Sequence, residues 1–260
     1  MAQAGLSRSR TAPWRGRPSW RLQWATALVG WAAWEVVAAS GLLYRGVVPS
    51  LVAIAAALAW LVADGHFWLN LAVTGAEIVA AIAIGGVAGL LVGIALGGSR
   101  SLGAAFEPYL TALAPTPKIV VLPILYLLVG VGLPSTTAVG AFACFVPLAI
   151  STLSGMRQID PVLVRVGRSF DLTWWQMVAK IHLPALVEPV RAGLRLGLSA
   201  AIGVCLIAEI RFSKAGLGAM MIDSYNRARF AEVYAVLIVI IAIAIAGNRL
   251  VDRVGRQRRL

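Results

Sequence analysis

Long apolar stretches, separated by short basic clusters, constrain this chain more than any other feature of its sequence. Crossing roughly 30 Å of hydrocarbon takes about 20 mostly apolar residues in a helix. Six stretches have that length: 23–43, interrupted by Glu35; 78–98, without a charge; 109–129; 136–155; 192–210; and 233–250. The third contains Pro115, Pro117, Lys118 and Pro123, which no straight helix carries comfortably, so it reads as a kinked or discontinuous span. Leu51–Ala63, at 13 residues, is too short to cross and reads as an interfacial or re-entrant helix. A soluble alternative fails on composition. The chain of 260 residues is 60% hydrophobic and 13% charged, against about 45–50% and 25% for soluble domains. A single core of this length could not hide so much apolar surface.

The basic residues orient these spans. Both ends are rich in arginine: Arg8, Arg10, Arg15, Arg17 and Arg21 before the first span, and Arg249, Arg253, Arg256, Arg258 and Arg259 at the last. Loops rich in Lys and Arg stay in the cytoplasm, so both termini are expected there and the number of crossings is even. Six crossings put seventeen of the basic residues inside and five outside, with Lys118 in a span. The net charge of +12 is thereby explained by membrane orientation, and nucleic acid, which needs its cations on one water-exposed face, is not an expected partner. Residues 1–22 read as a basic cytoplasmic tail without order, 23–250 as the transmembrane domain, and 251–260 as a second basic tail. The first apolar run is too long for a secretory signal core and is read as an uncleaved span.

One loop is too patterned to be a linker. Residues 156–190, between the fourth and fifth spans, are too polar to cross. Within them, 161–170 read as a short helix, Asp171 and Leu172 as a turn, and 174–182 as a second helix. Thr173 with Gln176 three residues on forms a capping box, and Pro184 is expected to end the helix. Such a protrusion, bearing Trp174, Trp175 and Met177 with Arg168 and Lys180 nearby, suits a groove on another protein. Equally, the tryptophans suit an aromatic belt at the membrane surface.

Candidate chemistry is sparse. The chain has no phosphate-cradling loop, because the Gly97-Gly98-Ser99-Arg100 stretch lacks the lysine and the preceding strand. It has neither a nucleophile elbow nor a zinc signature, and Cys144, Cys205, His66 and His182 match no metal spacing, so no enzyme activity, metal or cofactor is expected. Charges within spans are costly and by default mark function. Lys118, beside Pro117 in the broken third span, is the candidate for meeting an anion, since unwound backbone there adds polar groups. Alternatively it pairs with Glu77 or Glu209, or snorkels to the surface. Glu77 at the head of the second span shares the candidate pathway; Glu35 and Glu209 read as structural. The glycines from Gly85 through Gly86, Gly89 and Gly93 to Gly97 form a small-residue face for close helix packing, within the chain or across a dimer.

The run from Arg165-Val-Gly167-Arg168 through Asp171 to Thr173-Trp174-Trp175-Gln176 and Leu183-Pro184 resembles the cytoplasmic loop of permease subunits of binding-protein-dependent ABC importers. That family's pattern is Glu-Ala-Ala, three residues, Gly, then Leu-Pro about a dozen residues later. Arg165 stands where the family usually has Glu, which implies a changed partner surface. Asp171 stands where it has Gly, in a turn that Asp can serve. Val48-Pro49-Ser50, Pro117 to Pro123, Gly130-Val131-Gly132, the stretch 155–160, and Glu209 with Gly216-Leu217-Gly218 resemble the branch importing nitrate, sulfonates and taurine. The resemblance implies an all-α polytopic inner-membrane permease of about six transmembrane helices, with a short interfacial helix and a cytoplasmic coupling loop. It further implies a second permease copy, two cytoplasmic ATPase subunits docked on that loop, and an extracytoplasmic substrate-binding protein. A stand-alone ion-coupled transporter or channel is the rival reading, for which the sequence shows no related halves.

Overall fold

The computed structural model describes residues 20–41 and 46–256. Within that range every regular element is helical. Arg8, Arg10, Arg15, Arg17, Arg45, Arg258 and Arg259, and most of the expected N-terminal tail, lie outside the described residues; Trp20–Leu22 of that tail already belong to a helix. The chain divides into two compact units, residues 1–51 and 52–260.

In the first unit, α1 (Trp20–Ser40) leads to a turn stapled from the helix. Trp34 Nε1 donates to the Pro49 carbonyl at 3.0 Å, and Glu35 Oε1 accepts the Leu51 N–H at 2.8 Å. The charge in the expected first span is therefore a cap for a backbone donor, which a helix start leaves without an internal partner. At 21 residues α1 is long enough to cross, but Gln23 and Glu35 dilute its apolar character.

The second unit is built on α3 (Gly65–Gly98), α6 (Leu133–Arg157) and α9 (Leu183–Phe212). α2 (Leu51–Ala63) precedes α3, and Asp64 between them accepts the His66 N–H at 3.0 Å as the α3 N-cap. With 34 residues, α3 is about 51 Å long. It starts thirteen residues ahead of the expected span at Ile78, because the N-cap at Asp64 and not the first apolar residue sets its origin. Its buried residues recur at three and four positions, from Phe67 through Asn70, Thr74, Ile78 and Ala81 to Leu96, as one helix face must. Along that face a Cβ on Gly85 would strike the Ala141 carbonyl oxygen, one on Gly89 would lie 2.8 Å from the Phe145 carbonyl oxygen, and one on Gly93 would lie 2.5 Å from Thr152 Cβ. The glycine face thus packs on α6 of the same chain. The cysteines serve a related purpose across the α6–α9 contact: Cys205 Sγ covers Gly140, and Cys144 Sγ covers Gly197. Ile78, Ala81, Ala141, Leu198, Ile202 and Cys205 close the core where α3, α6 and α9 meet.

The expected broken span is a bent pair. α4 (Arg100–Leu113) meets a 3-10 turn (Lys118–Val121) and α5 (Leu122–Val129) at 97°. Gly130 and Gly132, both at positive φ, then turn the chain into α6. After α9, α10 (Leu217–Asn226) leads to α11 (Phe230–Arg256), so the expected basic tail at 251–260 begins as helix. By length and composition four helices could cross a membrane: α3, α6, the helix that α9 completes, and α11. The bent pair, taken as one span, makes five. Of the four single helices α6 is the most enclosed and α11 the least.

Candidate functional site

The loop between α6 and α9 folds into a tight helical hairpin. Asp160 Oδ1 accepts the Val162 N–H at 2.8 Å and starts α7 (Pro161–Ser169), where Pro161 at the first position loses nothing. α7 ends in a Schellman motif: the Leu172 N–H reaches the Gly167 carbonyl and the Asp171 N–H the Arg168 carbonyl, both at 3.1 Å. That motif needs a left-handed residue, and Asp171 supplies it at φ 48°. α8 (Trp174–Met177) opens with the expected capping box: the Thr173 N–H donates to Gln176 Oε1 at 2.9 Å, and the Gln176 N–H to Thr173 Oγ1 at 3.4 Å. Gly167 is buried, and a Cβ there would meet Ile181 Cδ1 at 2.7 Å and Met177 Sδ at 2.8 Å, so a glycine lets the two arms touch.

The chain does not stop at Pro184. A π turn (Val178–His182) carries α8 into α9, where Leu183 and Pro184 form the first turn. The Leu183 N–H reaches back to the Val178 carbonyl, and widening of the helix at this point accommodates a proline that has no N–H to give. Both ends of the expected loop at 156–190 are consequently helix, and the fifth apolar helix begins at Leu183 instead of 192. The hairpin exposes Phe170 and Trp175, at 75% and 74%, together with Val162, Leu163 and Val166. Arg165, Arg168 and Lys180 are exposed on the same hairpin.

The candidate pathway residues do not converge. Lys118 sits at the bend, following the exposed Pro117, and its Nζ donates to the Ala114 carbonyl. Neither expected ion pair forms. Glu77 lies well inside α3, not at the head of a span, and is fully buried.

What sequence reasoning missed is a polar seam between α3, α9 and α10. Three successive N–H groups at the start of α10 are met by side chains: Gly216 donates to Asn70 Oδ1 at 2.7 Å, Leu217 to Thr74 Oγ1 at 2.8 Å, and Gly218 to Glu209 Oε2 at 2.6 Å. Thr74 Oγ1 in turn donates to Glu209 Oε1 at 2.6 Å. Gly216, at φ 105°, lies against the Glu209 carboxyl, where a Cβ would be 2.7 Å from Oε2. Glu209 with Gly216-Leu217-Gly218 is thus a capping device. The legible signal was the polar run Asn70, Thr74, Glu77 at i, i+4 and i+7 on an apolar helix.

Two cavities flank this core. One of about 630 Å³ is lined by Asp64, His66, Lys214 and the ion pairs Arg227–Asp223 and Arg229–Glu232. Another of about 600 Å³ lies between α6 and α9, lined by Ser151, Ser154, Gln158 and Glu188 among others. Among the described residues no group of three or more His, Cys, Asp or Glu side chains is placed to hold a metal ion.

Residues 85–259, which include α11 and begin at the glycine face, match the family model described as the binding-protein-dependent transport system inner membrane component. A permease protein named for aliphatic sulfonates transport in Bacillus subtilis (strain 168) is 28% identical over 230 residues, covering 88% of this chain and 83% of that one. The taurine transport system permease protein of Escherichia coli (strain K12) is 28% identical over 180 residues, 69% of this chain and 65% of that one. The nitrate import permease protein of a Synechocystis species (strain PCC 6803) is 29% identical over 167 residues, 64% of this chain and 59% of that one. With the all-helical fold, the long apolar helices and the hairpin between α6 and α9, the match over most of its length makes this chain a member of the binding-protein-dependent transport system inner membrane components.

Proposed function

We propose that this protein is the permease subunit of an ATP-driven ABC importer, with α1 as a first crossing ahead of the five candidate spans and both termini in the cytoplasm. Two copies would form the pathway, an extracytoplasmic binding protein would deliver the solute, and two ATPase subunits would dock on the hairpin. The observation that carries this reading is the hairpin itself. Its apolar surface of Phe170, Trp175, Val162 and Leu163 is ringed by Arg165 and Arg168, the mixture that dominates protein interfaces. Its second arm runs through the π turn into α9, so force applied at 165–184 passes directly to a membrane helix. The hairpin does no chemistry; Gly167, Asp171, Thr173, Gln176, Leu183 and Pro184 shape it, while Arg165, Arg168 and Trp175 meet the partner, the side chain of Trp174, also assigned to docking, lying outside the described residues.

The named relatives favour a small anion, a sulfonate or nitrate, as the solute. Lys118 at the bend, with Pro117 breaking the helix before it, is the cation we assign to that anion. Replacing it as Lys118→Gln is expected to raise the uptake KM about tenfold, a loss of about 1.4 kcal/mol, without loss of the ATPase subunits; an unchanged KM removes Lys118 from the pathway.

Co-purification tests the assembly. Tagged protein from detergent-solubilised native membranes is expected to bring a nucleotide-binding subunit with it, and a folded Trp174→Ala, Trp175→Ala variant to lose it. If the wild type, intact and folded, brings none, transport by this chain alone replaces the importer reading.

A further inference from the structure

Glu77 is fully buried in α3, and neither of its carboxyl oxygens has a hydrogen-bond partner. Its carboxyl faces that of Glu209, which is also fully buried. Glu209 is well provided for: both of its oxygens accept bonds at 2.6 Å, from Thr74 Oγ1 and from the Gly218 N–H. It also lies at the N-terminal end of α10, where partial positive charge favours an anion. Glu77 has none of this support. Among the described residues, the other titratable groups near the pair are Tyr126 of α5 and Cys205 of α9, and neither is basic. Lys118 donates to the Ala114 carbonyl instead. Two carboxylates facing each other away from water cannot both stay ionised.

We propose that Glu77 and Glu209 bind one proton between them, so that the pair carries a single negative charge. Glu209 is the carboxylate and Glu77 the acid that donates to it. The terminal torsion of a glutamate is broad, so the Glu77 hydroxyl can turn toward Glu209 at little cost. A carboxylate oxygen with two lone pairs can take this bond beside those it already accepts. The proton then joins α3 to α9 at the same carboxyl that caps α10. A buried, orphaned acid becomes a further donor of the seam, beside Thr74 Oγ1 and the Gly216, Leu217 and Gly218 N–H groups. This site stands apart from the proposed transport function and its test needs no transport.

Infrared spectroscopy of the full-length protein in lipid nanodiscs reads the proton directly. The wild type is expected to show the carbonyl-stretch band of a protonated carboxylic acid, shifted in heavy water and the same in sodium, potassium and choline buffers. Glu77→Gln should lose that band while keeping the thermal midpoint, because the amide also donates to Glu209. Glu77→Asp keeps an acid at the position and should move the band instead of removing it, which assigns it if the glutamine variant folds poorly. Absence of such a band from the wild type overturns the proposal. So does a band that appears only when choline replaces sodium and potassium, which would make the occupant a metal cation.

Discussion

Thr74 shows how much one hydroxyl can hold in a membrane protein core. It donates to Glu209 and accepts from the Leu217 N–H, so it bridges α3, α9 and α10 through two bonds. Thr74→Val keeps the shape, strands both partners and is expected to cost about 1–3 kcal/mol, read as a lower thermal unfolding midpoint in detergent. Thr74→Ser should restore most of it, and equal midpoints for all three proteins would refute the seam. Glu209 was legible as a structural charge, and Thr173 with Gln176 as a cap, since both signals lie in short sequence patterns. Asn70 and Thr74 were not, because their partners are 146 and 143 residues away. Lys118 and Glu77, whose opposite charges invited a pair, stay apart because the helix bend gives the lysine a nearer carbonyl in its own chain segment.

Elements owe their separations to small residues. α3 approaches α6 closely only because Gly85, Gly89, Gly93 and Gly97 present no side chain to it. Gly93→Val has to push against Thr152 and the Ala149 carbonyl, and overpacking of this kind costs typically 1–3 kcal/mol. The outcome expected is a loss of monodisperse protein in size-exclusion chromatography. Gly86→Ala is the control, since its added methyl would meet only Leu148 Cδ2 at 3.9 Å. If both variants behave alike, close packing on this face is not what holds the two helices. The same scale explains the misplaced helix stop. A proline is a terminator within a regular α-helix, yet after a π turn it opens the next one, and the hairpin is welded to α9 as a result.

At the scale of the whole molecule, the even number of crossings is the reading most open to test. Cys144 and Cys205 are buried, so single cysteines introduced elsewhere can be labelled against a silent background. Cysteine at Ser9 and at Arg259 is expected to react with a membrane-impermeant maleimide only in inside-out vesicles, and cysteine at Arg227 only from the opposite side. Labelling of the two ends from opposite sides would mean an odd number of crossings and remove α1 as a span. The sequence by itself determined the solvent of this chain, the helical class, the break at 114–118 and the hairpin between α6 and α9, because apolar length, proline and capping residues act over a few neighbours. Only the tertiary structure decided that the glycine face meets α6, that Glu209 caps α10, that Glu77 is left facing it, and that α9 begins in the hairpin. Each of these depends on which distant groups share a space from which water is excluded, and no local pattern encodes that.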